Sequence, residues 1–145
     1  MCSLGIQYHP EPGTILLCNF DTGFIEPEMV KSGRPVIVIS PNLKHRNGLV
    51  TIVACSTVKP DPMQNYHYPL PMASLPRLDR FQRDTWVKGD MVYSVGFHRL
   101  ELIRIGKKPD GTRNYFRDRL GRDQMKAIYS CILHGINMGH VTQHL

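Results

Sequence analysis

For most of this chain apolar residues come in short bursts; only near the end do they fall at helical spacing. Thr14–Phe20 (TILLCNF) predicts a first strand, and the polar stretch Asp21–Ser32, broken by Gly23 and Pro27, a long loop. Val36–Ile39 and Val50–Ala54 are continuous, largely β-branched runs joined by PNLKHRNG, which has turn chemistry at both ends. Residues 33–57 therefore predict two buried strands joined by a polar, basic loop. Tyr66–Leu70 (YHYPL) alternates, and Pro69 places it at a sheet edge. Within Met72–Asp84, Leu75, Leu78 and Phe81 have the spacing of one short helix. Trp86–Val95 is rich in β-formers, with Gly89 marking a bulge or a close backbone approach. His98–Gly106 alternates, Pro109-Asp110-Gly111 is a turn, and Tyr115 onward returns as a short strand.

From Arg122 the period changes. Met125, Ile128, Tyr129, Ile132, Leu133 and Ile136 make one helical stripe that must bury itself against the sheet. Gly139 marks the helix stop, and the tail HVTQHL is expected to fray. Five to seven short strands followed by a terminal helix predict a mainly β fold, a small bent sheet or half-open barrel capped by the helix. At 145 residues a single domain (1–145) is expected, long enough for a proper core.

Composition narrows the class. The chain is 41% apolar and 21% charged, and no apolar run approaches a membrane span. Its start, MCSLGIQYHPEPG, lacks the basic end and apolar core of a signal peptide, so a cytoplasmic protein is expected. Cysteines 2, 18, 55 and 131 form no C-x-x-C clamp, and His140 and His144 have no third ligand, so no metal or other cofactor is expected. Cys18 and Cys55 lie in apolar strands and read as small core hydrophobes. Residues 1–30 hold four acids (Glu11, Asp21, Glu26, Glu28) and no Lys or Arg, so the remainder carries +10 of a net +6. That asymmetry fits a polyanionic partner, most simply nucleic acid, or equally a basic surface kept for solubility.

The candidate chemistry lies at the hairpin's open end. If the two central strands pair, Arg34 at the start of one meets Ser56 and Thr57 at the end of the other. A guanidinium and a hydroxyl converging there can hold a phosphate. Both faces of Val50–Thr57 are apolar, so periodicity does not choose between Ser56 and Thr57. The plain alternative for Arg34 is a strand-edge ion pair with Glu26 or Glu28, and for Thr57 an ordinary strand threonine.

The blocks PEMVKSGRPVIVISP, VTIVACST and WVKGDMV, with the terminal helix, resemble the MazF/PemK toxins of bacterial toxin–antitoxin pairs over roughly residues 13–138. The resemblance implies an SH3-like half-open barrel of the CcdB/MazF kind with a C-terminal helix, usually a homodimer. It implies a metal-independent endoribonuclease that cuts single-stranded RNA, and a cognate antitoxin expected to be acidic and partly disordered. It assigns Arg34 and Thr57 to the scissile phosphate. In the VKGDMV block it places an acid at Asp90, with Lys88 where an arginine is used and Tyr93 where many members carry another. The general base is left open between Asp90 and His67, the latter suited by its near-neutral pKa. Lys44, His45, Arg46, Ser56, Tyr66, Tyr68 and Phe24 are candidates for phosphate contacts and base stacking. Two other readings are a gyrase-poisoning toxin of the CcdB kind, against which the Arg34–Thr57 pair argues, and a catalytically silent RNA-binding descendant.

Overall fold

The computed structural model describes residues 5–145; Cys2 and the start of the expected lead-in lie outside the described residues. In chain order the described elements are β1 (Ile15–Cys18), β2 (Arg34–Val38), β3 (Leu49–Ser56), β4 (His67–Leu70), β5 (Thr85–Gly96), β6 (Leu100–Glu101), β7 (Arg104–Lys107), β8 (Arg113–Tyr115) and the helix α1 (Arg122–Gly135). Six strands form one antiparallel sheet in the order β4-β5-β3-β2-β1-β6, and β7 and β8 pair separately. The sheet bends without closing into a barrel, as the mainly β half-open architecture requires.

The central strands are apolar on both faces, so each face needs a cover. On one, Ile15, Leu17, Ile37, Val53 and Cys55 pack with Leu75, Phe81, Phe116 and the helix residues Met125 and Ile128. On the other, Leu16, Val36, Val38, Ile52 and Ala54 pack with Phe20, Met29, Val95 and Leu100. The second cover comes from the chain that leaves β1 and from the far ends of β5 and β6. Full burial of one such side chain stabilises by about 1.5–3 kcal/mol. Tyr129 of α1 donates its hydroxyl to the Ile39 carbonyl at 2.7 Å, fixing the helix to the end of β2. Cys18, Cys55 and Cys131 are free and buried, and burial pushes the Cys55 thiol up to about 12.

Gly89 fulfils both roles expected of it. Val53 pairs with Val92 and Cys55 with Val87, so four residues of β5 face Ala54 alone. At this bulge the backbone of β5 lies against α1. A Cβ on Gly89 would stand 2.5 Å from the Cys131 carbonyl, and one on Gly135 would stand 2.8 Å from the Gly89 carbonyl oxygen. The two glycines let helix and bulge touch backbone to backbone.

Four local expectations need correction. Met72–Asp84 is not one helix but two single 3₁₀ turns, Met72–Ser74 and Asp79–Phe81. Pro76 holds Leu75 extended and lacks a donor, so no helix can run through. The alternating run His98–Gly106 is not one strand: β6 pairs with β1, whereas β7 turns away to pair with β8. Buried Ile103 marks the change, its carbonyl accepting the Phe116 amide at 2.8 Å. The helix stops before Gly139, because Asn137 takes the left-handed conformation (φ 61°) after the Ile136 cap. Ile136 thereby falls outside the buried stripe and is 62% exposed. The tail is a 3₁₀ turn, Gly139–His144, held by the Thr142 hydroxyl on the Gly139 carbonyl at 2.7 Å.

Gly89→Ala is expected to destabilise by about 1–3 kcal/mol through overpacking of the helix against the bulge. Urea denaturation with tryptophan fluorescence measures this; a midpoint equal to wild type would show that the contact yields freely.

Candidate functional site

The β2–β3 register runs Val36↔Ala54, Ile37↔Val53, Val38↔Ile52. Continued outward, it sets Arg34 beside Ser56, one residue before Thr57. Arg34 and Thr57 do line one cleft, of about 280 Å³, where β2 begins, β3 ends and β5 begins. Lys31, Ser32, Arg80, Arg83 and Thr85 line it with them. Arg34 is half-buried, and its Nε is buried with no hydrogen-bond partner among the described residues. The ion pair weighed for it is absent: Glu26 is exposed, and Glu28 accepts the Ile25 amide of its own loop at 3.3 Å. A buried guanidinium nitrogen without an acceptor is costly unless a ligand supplies one.

Ser56 and Thr57 part company. Ser56 is buried, and its hydroxyl accepts the Val58 amide at 3.1 Å, a local bond that leaves it facing its own turn. Thr57 is exposed in the cleft.

The long loop between β1 and β2 forms one wall of the cleft through Lys31–Gly33. Its position is set from β5: the Tyr93 hydroxyl accepts the Met29 amide at 3.1 Å, and the Tyr93 ring packs against Phe20 and Phe24. Arg99 lies over the Phe24 ring at 4.8 Å, so Phe24 is engaged in packing. Tyr93 thus positions the loop rather than standing in the cleft.

The other candidates lie elsewhere. Lys88, Asp90 and His67 gather where the β5 bulge meets β4, with His67 paired to Lys88, and none lines the Arg34–Thr57 cleft. His67 Nδ1 accepts the Gln64 amide at 3.0 Å, which assigns its proton to Nε2. Burial lowers the His67 pKa below its usual value, Asp90 opposes the shift and Lys88 adds to it. Tyr66 packs on the His67 ring at 4.6 Å, and Tyr68 packs on the helix-side core. Lys44, His45 and Arg46 occupy the β2–β3 loop, at the far end of the hairpin from the cleft. There Arg46 keeps Nε and Nη2 buried and unpartnered among the described residues. No group of three His, Cys, Asp or Glu placed to hold a metal occurs among the described residues. Among the described residues no helix is long and apolar enough to cross a membrane.

Arg80 and Arg83 were not singled out from the sequence. Arg80 sits in the second 3₁₀ turn, Asp79–Phe81, and Arg83 two residues beyond it, placements that the spacing of the arginines does not reveal.

A bent antiparallel sheet carrying an arginine and a threonine at one strand-end cleft, capped by a C-terminal helix, defines a small MazF-like fold. The chain belongs to the PemK-like, MazF-like toxins of type II toxin–antitoxin systems, whose family profile matches residues 11–134. Among solved structures it is similar to the Mycobacterium tuberculosis toxin MazF-mt6, with TM-score 0.54, 15% identity, and coverage of 88% of this chain and 98% of that one. It is also similar to an endoribonuclease in complex with its cognate antitoxin from a mycobacterial species, with TM-score 0.55, 15% identity, and coverage of 89% and 96%. At such identities the likeness is one of fold. No curated protein matches the sequence.

The grouping of His67 with Asp90 and Lys88 is testable. Asp90→Asn should lower the His67 pKa further, and Lys88→Met should raise it, as read by NMR titration of the imidazole. Because the folded His67 pKa is lowered, the unfolded chain takes up this proton first as pH falls through 6.5. The group therefore withdraws stability below that pH and is neutral in its effect above it.

Proposed function

We propose that the protein is a toxin that cleaves single-stranded RNA without a metal, with attack by the ribose 2′-hydroxyl on the adjacent phosphorus. The observation that carries this reading is the shared cleft, in which the unpartnered Arg34 guanidinium stands with the free Thr57 hydroxyl. Arg34 stabilises the negative charge of the pentacoordinate phosphorane and can donate toward the departing 5′-oxygen. Thr57 donates to a non-bridging oxygen. Arg80 and Arg83 hold the phosphates on either side. Among the described residues no carboxylate or imidazole lines the cleft. Asp90 and His67, the bases expected from the sequence, stand outside it, so the 2′-hydroxyl proton is assigned to solvent water, which reaches the cleft at exposed Thr57. The P–O5′ bond breaks as the P–O2′ bond forms, so the products are a 2′,3′-cyclic phosphate and a 5′-hydroxyl. The active form is a homodimer, which covers sheet edges and joins two basic surfaces. Its inhibitor is an acidic antitoxin that folds over the cleft.

Arg34→Ala should lower the cleavage rate by roughly 10²–10³. Arg34→Lys should restore little, since a point charge cannot replace a planar fork. Thr57→Ala should cost less, and Thr57→Val should match it if the hydroxyl matters rather than the shape. End mapping of a long labelled RNA cut in EDTA tests the chemistry. Loss of activity in EDTA, or cutting at a 2′-deoxy sugar, would sink the mechanism.

The homodimer is checked separately. Light scattering at micromolar concentration should return twice the 16.6 kDa chain mass.

A further inference from the structure

A second and larger cavity, of about 1050 Å³, opens beside the β1–β6 edge and the β7–β8 hairpin. Five arginines line it (Arg80, Arg104, Arg113, Arg117 and Arg119), against two carboxylates, Glu11 and Glu101. Arg104, Arg113 and Arg117 are exposed, and none forms an ion pair among the described residues. Arg80 lines both this cavity and the Arg34–Thr57 cleft, so the two adjoin at this residue. Tyr8, 84% exposed, and Tyr115 offer rings beside the arginines. His9 lines the groove too. Its Nδ1 donates to the Pro10 carbonyl at 2.7 Å, leaving Nε2 as an acceptor, buried and unpartnered among the described residues.

We infer that this groove is a second binding site for single-stranded RNA, holding the segment that flanks the bond placed in the Arg34–Thr57 cleft. Phosphates lie along the arginine rim, bases stack on Tyr8 and Tyr115, and His9 Nε2 accepts from a ribose hydroxyl or a base amine. An acidic, folding peptide fits less well. Ile6, Leu102 and Phe116 offer it some apolar surface, but exposed, unpaired arginines set beside two tyrosine rings match a phosphate backbone with stacking bases. The description of the neighbouring cleft as the place of cutting rests on the cleavage reading above; binding in the groove does not.

Fluorescence anisotropy with 2′-O-methyl RNA, which has no 2′-hydroxyl to attack, tests the site without cleavage. Probes of about 4 and about 12 nucleotides bracket the span of one small single-strand domain. Wild-type protein should bind the longer probe more tightly and with a steeper salt dependence. In Arg104→Ala/Arg113→Ala, and separately in Arg117→Ala, that advantage should shrink. The salt slope should flatten by about 0.7 for each phosphate no longer neutralised. Arg117 lies outside the hairpin, so a disturbed hairpin cannot account for both results. An unchanged long-probe slope in both variants overturns the inference. So does weakened binding of polyglutamate alone, which would make the groove a protein site. A changed mass in light scattering with RNA affinity intact overturns it too, by making the groove an interface between copies. Wild-type protein that binds the long probe as described yet never cuts RNA would sink the cleavage reading and leave the groove standing.

Discussion

Everything in this fold answers to the pairing of β2 with β3, two strands apolar on both faces. A strand with one wet face can end a layer; these two cannot. Their second face must be roofed, and a chain this short has one helix to place over the first. The remaining cover comes from bending the sheet, which brings Phe20, Met29, Val95 and Leu100 over Val36, Val38 and Ile52. The half-open shape is therefore a consequence of side-chain patterning in the two central strands. The bulge at Gly89 serves the same end from the helix side, letting β5 turn sharply where α1 presses on it.

The site is a by-product of where those strands stop. Antiparallel pairing brings Arg34, the first residue of β2, beside Ser56, the last of β3, so Arg34 and the next residue, Thr57, line one cleft without a long loop having to carry them. Rigid strand ends are good positions for groups that must stabilise charge with little reorganisation. The other wall is the long loop, and it is tied by the Tyr93 hydroxyl and by Met29 in the core.

Much of this could be read from residue order. The buried hairpin, the terminal helix, the edge strand with Pro69 and the double meaning of Gly89 all follow from runs, periods and breakers. The errors cluster where local pattern competes with a single residue. Pro76 overrules the spacing of Leu75, Leu78 and Phe81, and Asn137 ends the helix two residues before the glycine that invited the end. The β6–β7 break does carry a local sign: Leu102 and Ile103 are both apolar, so the alternation slips by one residue where the strand changes partner. At the candidate site, the meeting of Arg34 with Thr57 was legible because antiparallel pairing is a geometric rule. Arg80 and Arg83 were not, since their place depends on how a turn folds back over the cleft. Lys44–Arg46 were candidates for phosphate contacts by their charge, and the hairpin places them at the end opposite the cleft.

The cysteines carry a consequence of their own. Nucleophilic sulfur is thiolate, and a thiol that gives up its proton only near pH 12 presents almost none at neutral pH. Cys55 is also walled in by the packing on both sides of β3, and Cys18 and Cys131 are buried too. Peroxide and disulfide reagents need both an ionised sulfur and a path to it. The intact fold denies them both at Cys18 and Cys55, and at Cys131 burial closes the path and also holds the proton on. These thiols report on the integrity of the core: they become chemically visible when it opens, and stay silent while it is closed.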